Sequence, residues 1–341
     1  MDVVIVMDGP ETVVPATDTS FGLAVAAIER GHRCWHGTPA DVSVVDGSVW
    51  ARVREIRPDA EASDPLGLGG PTDVDLGTVD VVLVRPDPPF DQAYLHLTLV
   101  LDLVADATFV VNSPHGLRQA NEKLYALRFP DVTPPTVVTA DRERLFAFAA
   151  AHEAAVVKPI DGHGGRGVLV VRPGDENAAS ILDTATARGT VPVVAQRYLP
   201  GVRDGDKRIL LLDGEPLGAI LRRPTGDDFR ANICVGGDVE AVDLDDADRR
   251  IVDALAPALR ADGLHLVGVD VVDGHLTEVN VTSPTGLRQL CRLSGTRPDL
   301  EVIDWLERRA AGRFDPTAGG PTLRPVETDV QIDESASSPD G

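Results

Sequence analysis

Short, continuous apolar runs recur along the chain, separated by stretches whose apolar positions are spaced as on one face of a helix. Asp2–Met7 and Val81–Val84 read as buried strands, and Phe109–Val111 as a third. Phe21–Arg30 reads as a helix, with Asp18, Thr19 or Ser20 as its cap and Gly31 as its stop; Ala93–Ala105 reads as another. Val42–Val45 and Val49–Val53 flank Asp46-Gly47, a hairpin signal. Residues 57–78, rich in Pro, Gly and Asp, read as an exposed loop. Strands alternating with helices predict a small α/β unit with a largely parallel sheet over residues 1–120.

A second unit, 121–199, opens with a short helical stretch at Asn121–Arg128 and an extended Val137–Val138. Helix Arg142–Ala151 and strand Ala155–Pro159 follow, then a glycine-rich loop, strand Val168–Arg172, a helix near Ala178–Ala187 and strand Val193–Tyr198. A third unit, 200–312, carries two more hairpin signals. Arg208–Leu212 and Pro216–Leu221 flank Asp213-Gly214, and Val267–Val272 and Leu276–Val281 flank Asp273-Gly274. Residues 223–241 lack a regular pattern, while Ala247–Ala261 and Leu300–Ala311 read as helices. Beyond Gly312 the chain is rich in Pro, Gly, Asp and Ser, and 313–341 reads as a disordered tail.

Charge narrows the choice of partners. The formal net charge is −22, a surface that repels nucleic-acid phosphates and anionic lipid. No stretch reads as a membrane span, and Val3–Met7 is too short for a secretion signal, so a cytoplasmic protein is expected. Cys34, Cys234 and Cys291 are far apart and imply neither a disulfide framework nor a metal site. Of 32 basic residues only Lys123, Lys158 and Lys207 are lysine. An ammonium is a compact point charge suited to phosphate, so the three are candidates for function, with chance retention on the surface as the alternative.

Several clusters could carry chemistry. Gly162-His163-Gly164-Gly165-Arg166-Gly167 lies between two strands, where bare backbone can offer N–H donors to phosphate. It lacks the Gly-Lys-Ser/Thr of a Walker loop, and a strand follows where a dinucleotide fingerprint needs a helix; a plain hairpin loop is the other reading. Lys158 ends the apolar run just before that loop, either aimed at an anion or reaching past its neighbours to water. Asp270, Glu278 and Asn280 are oxygen donors of the kind magnesium takes. Glu278 and Asn280 share a strand face, and a three-residue loop Val272-Asp273-Gly274 would bring Asp270 to it. The alternative is a polar outer face on an edge hairpin. Gln196-Arg197-Tyr198-Leu199-Pro200 could be an adenine-reading hinge or a plain strand end. Arg85, Arg208, Arg222, Arg223 and Arg230 offer carboxylate- or phosphate-binding forks, though any one can be a surface charge.

Taken together, these stretches resemble bacterial-type glutathione synthetases of the ATP-grasp ligase family, from Met1 to about Gly312. The likeness rests on Ile5-Val6-Met7-Asp8, Asp18-Thr19-Ser20-Phe21, Arg85-Pro86-Asp87-Pro88-Pro89-Phe90-Asp91, Asn121-Glu122-Lys123-Leu124 and Lys158-Pro159-Ile160-Asp161-Gly162-His163-Gly164-Gly165. It continues in Gln196-Arg197-Tyr198-Leu199-Pro200, Asp204-Gly205-Asp206-Lys207-Arg208, Arg230-Ala231-Asn232 and Thr277-Glu278-Val279-Asn280-Val281-Thr282-Ser283-Pro284-Thr285. The resemblance implies an ATP-grasp fold preceded by a small parallel-sheet α/β domain. It implies an ATP-dependent ligation of γ-glutamylcysteine to glycine through an acyl phosphate, with Mg2+, or Mn2+ in its place, by a homo-oligomer. It assigns Lys123, Lys158, Gly162, Gly164, Gly165, Gln196, Tyr198, Leu199 and Lys207 to ATP, and Asp270, Glu278 and Asn280 to the metal. It further implies that Arg208 and, in a mobile lid over 222–241, Arg222, Arg230 and Asn232 act on the reacting groups, with Arg85, Ser283 and Thr285 at the substrate. Two alternatives are an ATP-grasp ligase for another amino acid or peptide, and a non-catalytic nucleotide-binding module.

Overall fold

The structure is a computed structural model and describes residues 1–224 and 238–312. Arg230, Asn232, Cys234 and the tail 313–341 lie outside the described residues. The first sheet is built from β1 (Asp2–Val6), β2 (Arg33–Gly37), β3 (Val42–Val45), β4 (Ser48–Glu55), β5 (Pro71–Asp75), β6 (Val81–Val84) and β7 (Phe109–Val111). Its helices are α1 (Thr19–Glu29), α2 (Gln92–Leu101) and α3 (Pro114–Gln119). Strands β2-β1-β6-β7 run parallel, as the alternation of strand and helix predicts, and β4, flanked by β3 and β5, extends one end antiparallel. Residues 57–78 are therefore not wholly a loop. Strand β5 escapes the hydrophobic pattern because Val74 is its only buried residue; its order comes from pairing to β4.

The middle sheet is antiparallel, β10-β9-β11-β8, from β8 (Thr136–Thr139), β9 (Ala155–Pro159), β10 (Leu169–Val171) and β11 (Val193–Arg197). Helices α4 (Arg142–Ala151) and α5 (Ala178–Ala185) cover it. The last sheet is β14-β13-β12-β15-β16, from β12 (Asp206–Leu212), β13 (Glu215–Arg223), β14 (Asp238–Val242), β15 (Leu266–Val272) and β16 (His275–Asn280). Around it lie α6 (Asp246–Ala261), α7 (Leu287–Ser294) and α8 (Pro298–Ala311).

Burial groups these sheets differently from their order along the chain. One core joins Val4, Val82 and Leu101 to Ile209, Val269 and Leu255; a second joins Ile5, Leu23 and Leu83 to Leu210, Ile220 and Leu306. The first and last sheets are thus one body, packed on both faces. The middle sheet has a separate core around Leu145, Val157 and Leu182. Asn112, just past β7, ties the large body together. Its Oδ1 accepts from the His265 and Leu266 N–H groups, each at 2.8 Å, and its Nδ2 donates to the carbonyls of Leu266 at 2.8 Å and Val281 at 2.7 Å. One buried side chain so satisfies four backbone groups between two sheets.

Candidate active site

A cleft of about 850 Å³ opens between the middle and last sheets. Strand alternation supplies its first wall: Ala155 and Val157 enter the middle core, so Val156 and Lys158 face the cleft. The glycine loop crosses its mouth with Gly164 at φ 60° and Gly165 at φ 74°. Gly167 closes the loop at φ 71°, and a Cβ there would meet the Pro159 ring at 2.8 Å. Buried Lys123 donates from Nζ to the Gly162 carbonyl, so the loop is anchored to the wall it covers. Gln196, Tyr198 and Leu199 line the same cleft, with Gln196 Nε2 held by Thr136 Oγ1 at 3.3 Å.

The opposite wall is a dense charge network. Asp270 on β15 stands opposite Glu278 on β16, and Asn280 lies two residues further on the same face. The proposed three-residue loop is not how this arises. Asp273 and Gly274 form a two-residue turn, with φ 49° and 68°, and the extra residue is Thr277, which bulges between Leu276 and Glu278. The displaced bulge returns Asp270 and Glu278 to one face. Lys158 reaches across the cleft to Glu278 at 3.3 Å. Arg208 grips Asp270 with two N–H groups, at 2.5 and 3.0 Å, and Asn280 Nδ2 adds a bond at 3.1 Å. Arg222 bridges Asp206 and Asp270. Burial alone would raise the Asp270 carboxyl, but Arg208 and Arg222 outweigh it and hold it well below the usual carboxylate range. Asp206 goes the other way. Burial, opposed by Arg222 and reinforced by Asp270, pushes it up to about 7.

Two assignments change. Lys207 does not enter the cleft: it alternates with Asp206 and Arg208 on β12, so its ammonium turns to Asp245, at 3.1 Å, and Asp248 at the start of α6. Arg222 is a buried strand residue of β13 rather than part of a lid. Asp206 is the residue the sequence reasoning passed over, although the alternation that removes Lys207 also selects it. Its Oδ1 is buried in the cleft wall with no hydrogen-bond partner among the described residues.

Among the described residues no three His, Cys, Asp or Glu side chains form a ready metal cage. The candidate set is two carboxylates and an amide. Asp270, Glu278 and Asn280 bring two carboxylates and an amide oxygen to one face, and the unpartnered Asp206 oxygen lies in the same cleft wall. That chemistry fits a hard divalent cation such as Mg2+.

Arg85, Ser283 and Thr285 meet in a second cleft, of about 790 Å³, between the first sheet and the segment after β16. Arg85 is buried and donates to Ser20 Oγ at 3.1 Å and the Pro284 carbonyl at 3.0 Å. Asp18, the N-cap of α1, lies in the same cleft, where burial pushes its carboxyl up against the Phe21 N–H and Arg85. Arg208 joins the two clefts. The guanidinium that holds Asp270 also donates to the Thr285 carbonyl at 3.2 Å.

Family models of prokaryotic glutathione synthetase match residues 1–118, as its N-terminal domain, and 122–295, as its ATP-grasp domain. The chain belongs to the prokaryotic glutathione synthetase family. A glutathione synthetase of Thermosynechococcus vestitus is 46% identical over 316 residues, covering 90% of this chain and 99% of that protein. One of Rhodopseudomonas palustris is 44% identical over 288 residues, covering 84% and 91%. The fold has solved counterparts in D-cycloserine synthetase DcsG, with TM-score 0.64, 20% identity and coverage of 91% and 100%, and the ATP-grasp ligase PsnB with its minimal precursor, with TM-score 0.61, 19% identity and coverage of 90% and 99%. Like the family, this chain is an ATP-dependent carbon–nitrogen ligase with an ATP-grasp fold. Among the described residues no helix is long and apolar enough to cross a membrane.

Proposed function

We propose that the protein joins γ-glutamylcysteine to glycine with conversion of ATP to ADP and phosphate, working in the cytoplasm. The observation that carries this reading is a pair of clefts linked through Arg208, which bonds Asp270 in the wall of one and Thr285 in the wall of the other. One is walled by lysines, a glycine loop and oxygen donors, the other by Arg85 and hydroxyls. A two-substrate transfer needs this arrangement, with the nucleotide in one cleft and the donor in the other. Relatives above 40% identity over most of the chain favour this reading over another ATP-grasp specificity or a binding module.

In this reading Gln196, Tyr198 and Leu199 hold the adenine, and Lys123, Lys158 and the loop N–H groups take the phosphates. The cysteinyl carboxylate, oriented by Arg208, attacks the γ-phosphorus; the bond to ADP breaks and an acyl phosphate forms. The glycine amine then attacks the acyl carbon, phosphate leaves, and the amine proton passes to solvent. Asp270, Glu278 and Asn280 would hold the divalent ion, which when bound offsets charge on the phosphates. The glycine loop keeps water from the acyl phosphate. Arg230 and Asn232, outside the described residues, keep the roles the resemblance implies. Exposed Val44 and Val45 on β3, with Leu99 on α2 and Leu103 just past it, give this part of the chain apolar surface that a homo-oligomer would bury.

ADP release is the test, with Mg-ATP, γ-glutamylcysteine and glycine each omitted in turn. Turnover that needs all three, with glutathione as product, is expected. Turnover without a requirement for glycine would move the acceptor to another amine.

A further inference from the structure

The glycine loop borders three cavities. The first cleft is one. A smaller cavity of about 350 Å³ lies between the loop, the Pro88-Pro89-Phe90 segment, Glu122 and Thr282. A groove of about 940 Å³ follows the loop against Val191 and Pro192; its walls Asp161, Arg166, Val191 and Pro192 are exposed, so it opens on solvent. Among the described residues only Gly162 and His163 line all three, and His163 is the one that can carry a proton. It is half-buried, and its imidazole makes no hydrogen bond or ion pair among the described residues. The smaller cavity joins the two large clefts: Gly162 and His163 also line the first, and Thr282 and Pro88 directly adjoin Ser283 and Asp87 of the second.

An amino-acid acceptor arrives as an ammonium and has to lose a proton before its nitrogen can attack. The other ionisable groups of the first cleft are committed elsewhere. Lys158 pairs with Glu278 at 3.3 Å, and Lys123 donates to the Gly162 carbonyl. Asp270 is held by Arg208 and Arg222, and Asp206 by Arg222, with its remaining oxygen buried out of reach of a ligand. Arg166 and Arg197 keep their protons, and Tyr198 lies against the Arg172 guanidinium, 5.6 Å from its ring centroid. Glu122, which accepts from Thr282 Oγ1 at 3.0 Å, and Asp161 give the smaller cavity negative charge that attracts an ammonium, but neither lines the first cleft. Imidazole is the side chain that ordinarily exchanges its proton between pH 5 and 8.

Resting on the functional reading above, we propose that His163 is a catalytic residue that takes the proton of the acceptor ammonium and passes it to solvent along the outer groove. The proton moves to an imidazole nitrogen, and the freed electron pair forms the bond to the acyl carbon. The carbon–oxygen bond to phosphate breaks, and the departing phosphate takes the second amine proton. The loop that shields the acyl phosphate thereby also carries the base that its second step requires.

The test compares two nucleophiles with the full chain, Mg-ATP and γ-glutamylcysteine: glycine, and hydroxylamine, which is uncharged at neutral pH and needs no base. His163→Gln should lower kcat with glycine by about a hundredfold or more, the scale of a lost general base, while hydroxamate formation falls far less. His163→Ala should show the same split, and it guards against a Gln variant that does not fold. Equal losses with both nucleophiles, in variants whose circular dichroism matches the wild type, would overturn the proposal, because a role in loop packing gives that result. A glycine rate that survives in both variants would overturn it too. Wild-type silence with both nucleophiles would sink the functional reading itself, whereas wild-type turnover with no split in the variants would sink only this inference.

Discussion

The large body and the middle sheet face each other across the first cleft and are built on opposite plans. The large body shares two cores between the first and last sheets, and its side of the cleft is a lattice of paired charges around Asp270. The middle sheet has one small core and offers mostly backbone, a glycine loop and two lysine contacts. One side is fixed by buried, paired charges; the other presents a glycine loop tied down by few side chains. The contrast teaches that the charge lattice is held by its own pairs, while the glycine-loop side leans on the lysine contacts that bridge the cleft.

The largest test of that contrast removes the bridge from each side. Lys158→Ala and Glu278→Gln should each lower ADP release by about a hundredfold or more, the scale of one lost group at a developing charge. Circular dichroism should show both folded; near-full turnover in either would refute the site. Core truncation comes next. Leu182→Ala and Leu255→Ala should each cost about 2–5 kcal/mol. The first should loosen the middle sheet alone, and the second should loosen both other sheets together, as read by hydrogen exchange. A smaller effect is expected from Lys207→Ala, which leaves buried Asp248 without its cation. Stability should fall by about 1–3 kcal/mol in urea melts while KM for ATP changes little. A large rise in that KM would return Lys207 to the cleft.

A further effect is on pH dependence. Asp206 in the folded protein titrates near 7, above its ordinary value of 3.8. The folded state therefore keeps a proton that the unfolded chain releases, and stability drains away as pH rises from about 4 to about 7. Asp206→Asn mimics the protonated form, so its melting temperature should fall less than that of the wild type between pH 5 and 7.5 without metal. Parallel slopes would show that Asp206 is not the group responsible.

Much of this was legible in the chain. Three Asp-Gly pairs, at 46–47, 213–214 and 273–274, predict hairpins, and each has positive φ at both residues. Helix Arg142–Ala151 and strand Ala155–Pro159 match their patterns to the residue. Elements that escaped are those whose order comes from tertiary contact. β2 reads Arg-Cys-Trp-His-Gly with no clean period. Short α3 is set by Gly116, where a Cβ would strike the Asp262 carbonyl at 2.1 Å, and α7, of 8 residues, is too short for the spacing of Leu287 and Leu290 to stand out. In the site, motif order leads to Lys158, Asp270 and Glu278, which the structure brings to one cleft, but also to Lys207, which it turns to α6, because a motif fixes position along the chain and only strand alternation fixes the face. The shared cores were illegible, since no local pattern records which distant sheet covers a strand.

Asn112 has a consequence for substrate choice. Its bond to the Val281 carbonyl ends two residues before Ser283, and its bonds to His265 and Leu266 fix the same wall to the sheet that carries Arg85. The width of the second cleft is therefore tied to the folded body. On the proposed reading of that cleft as the donor site, a new donor specificity is made more readily by exchanging side chains than by loosening a hinge.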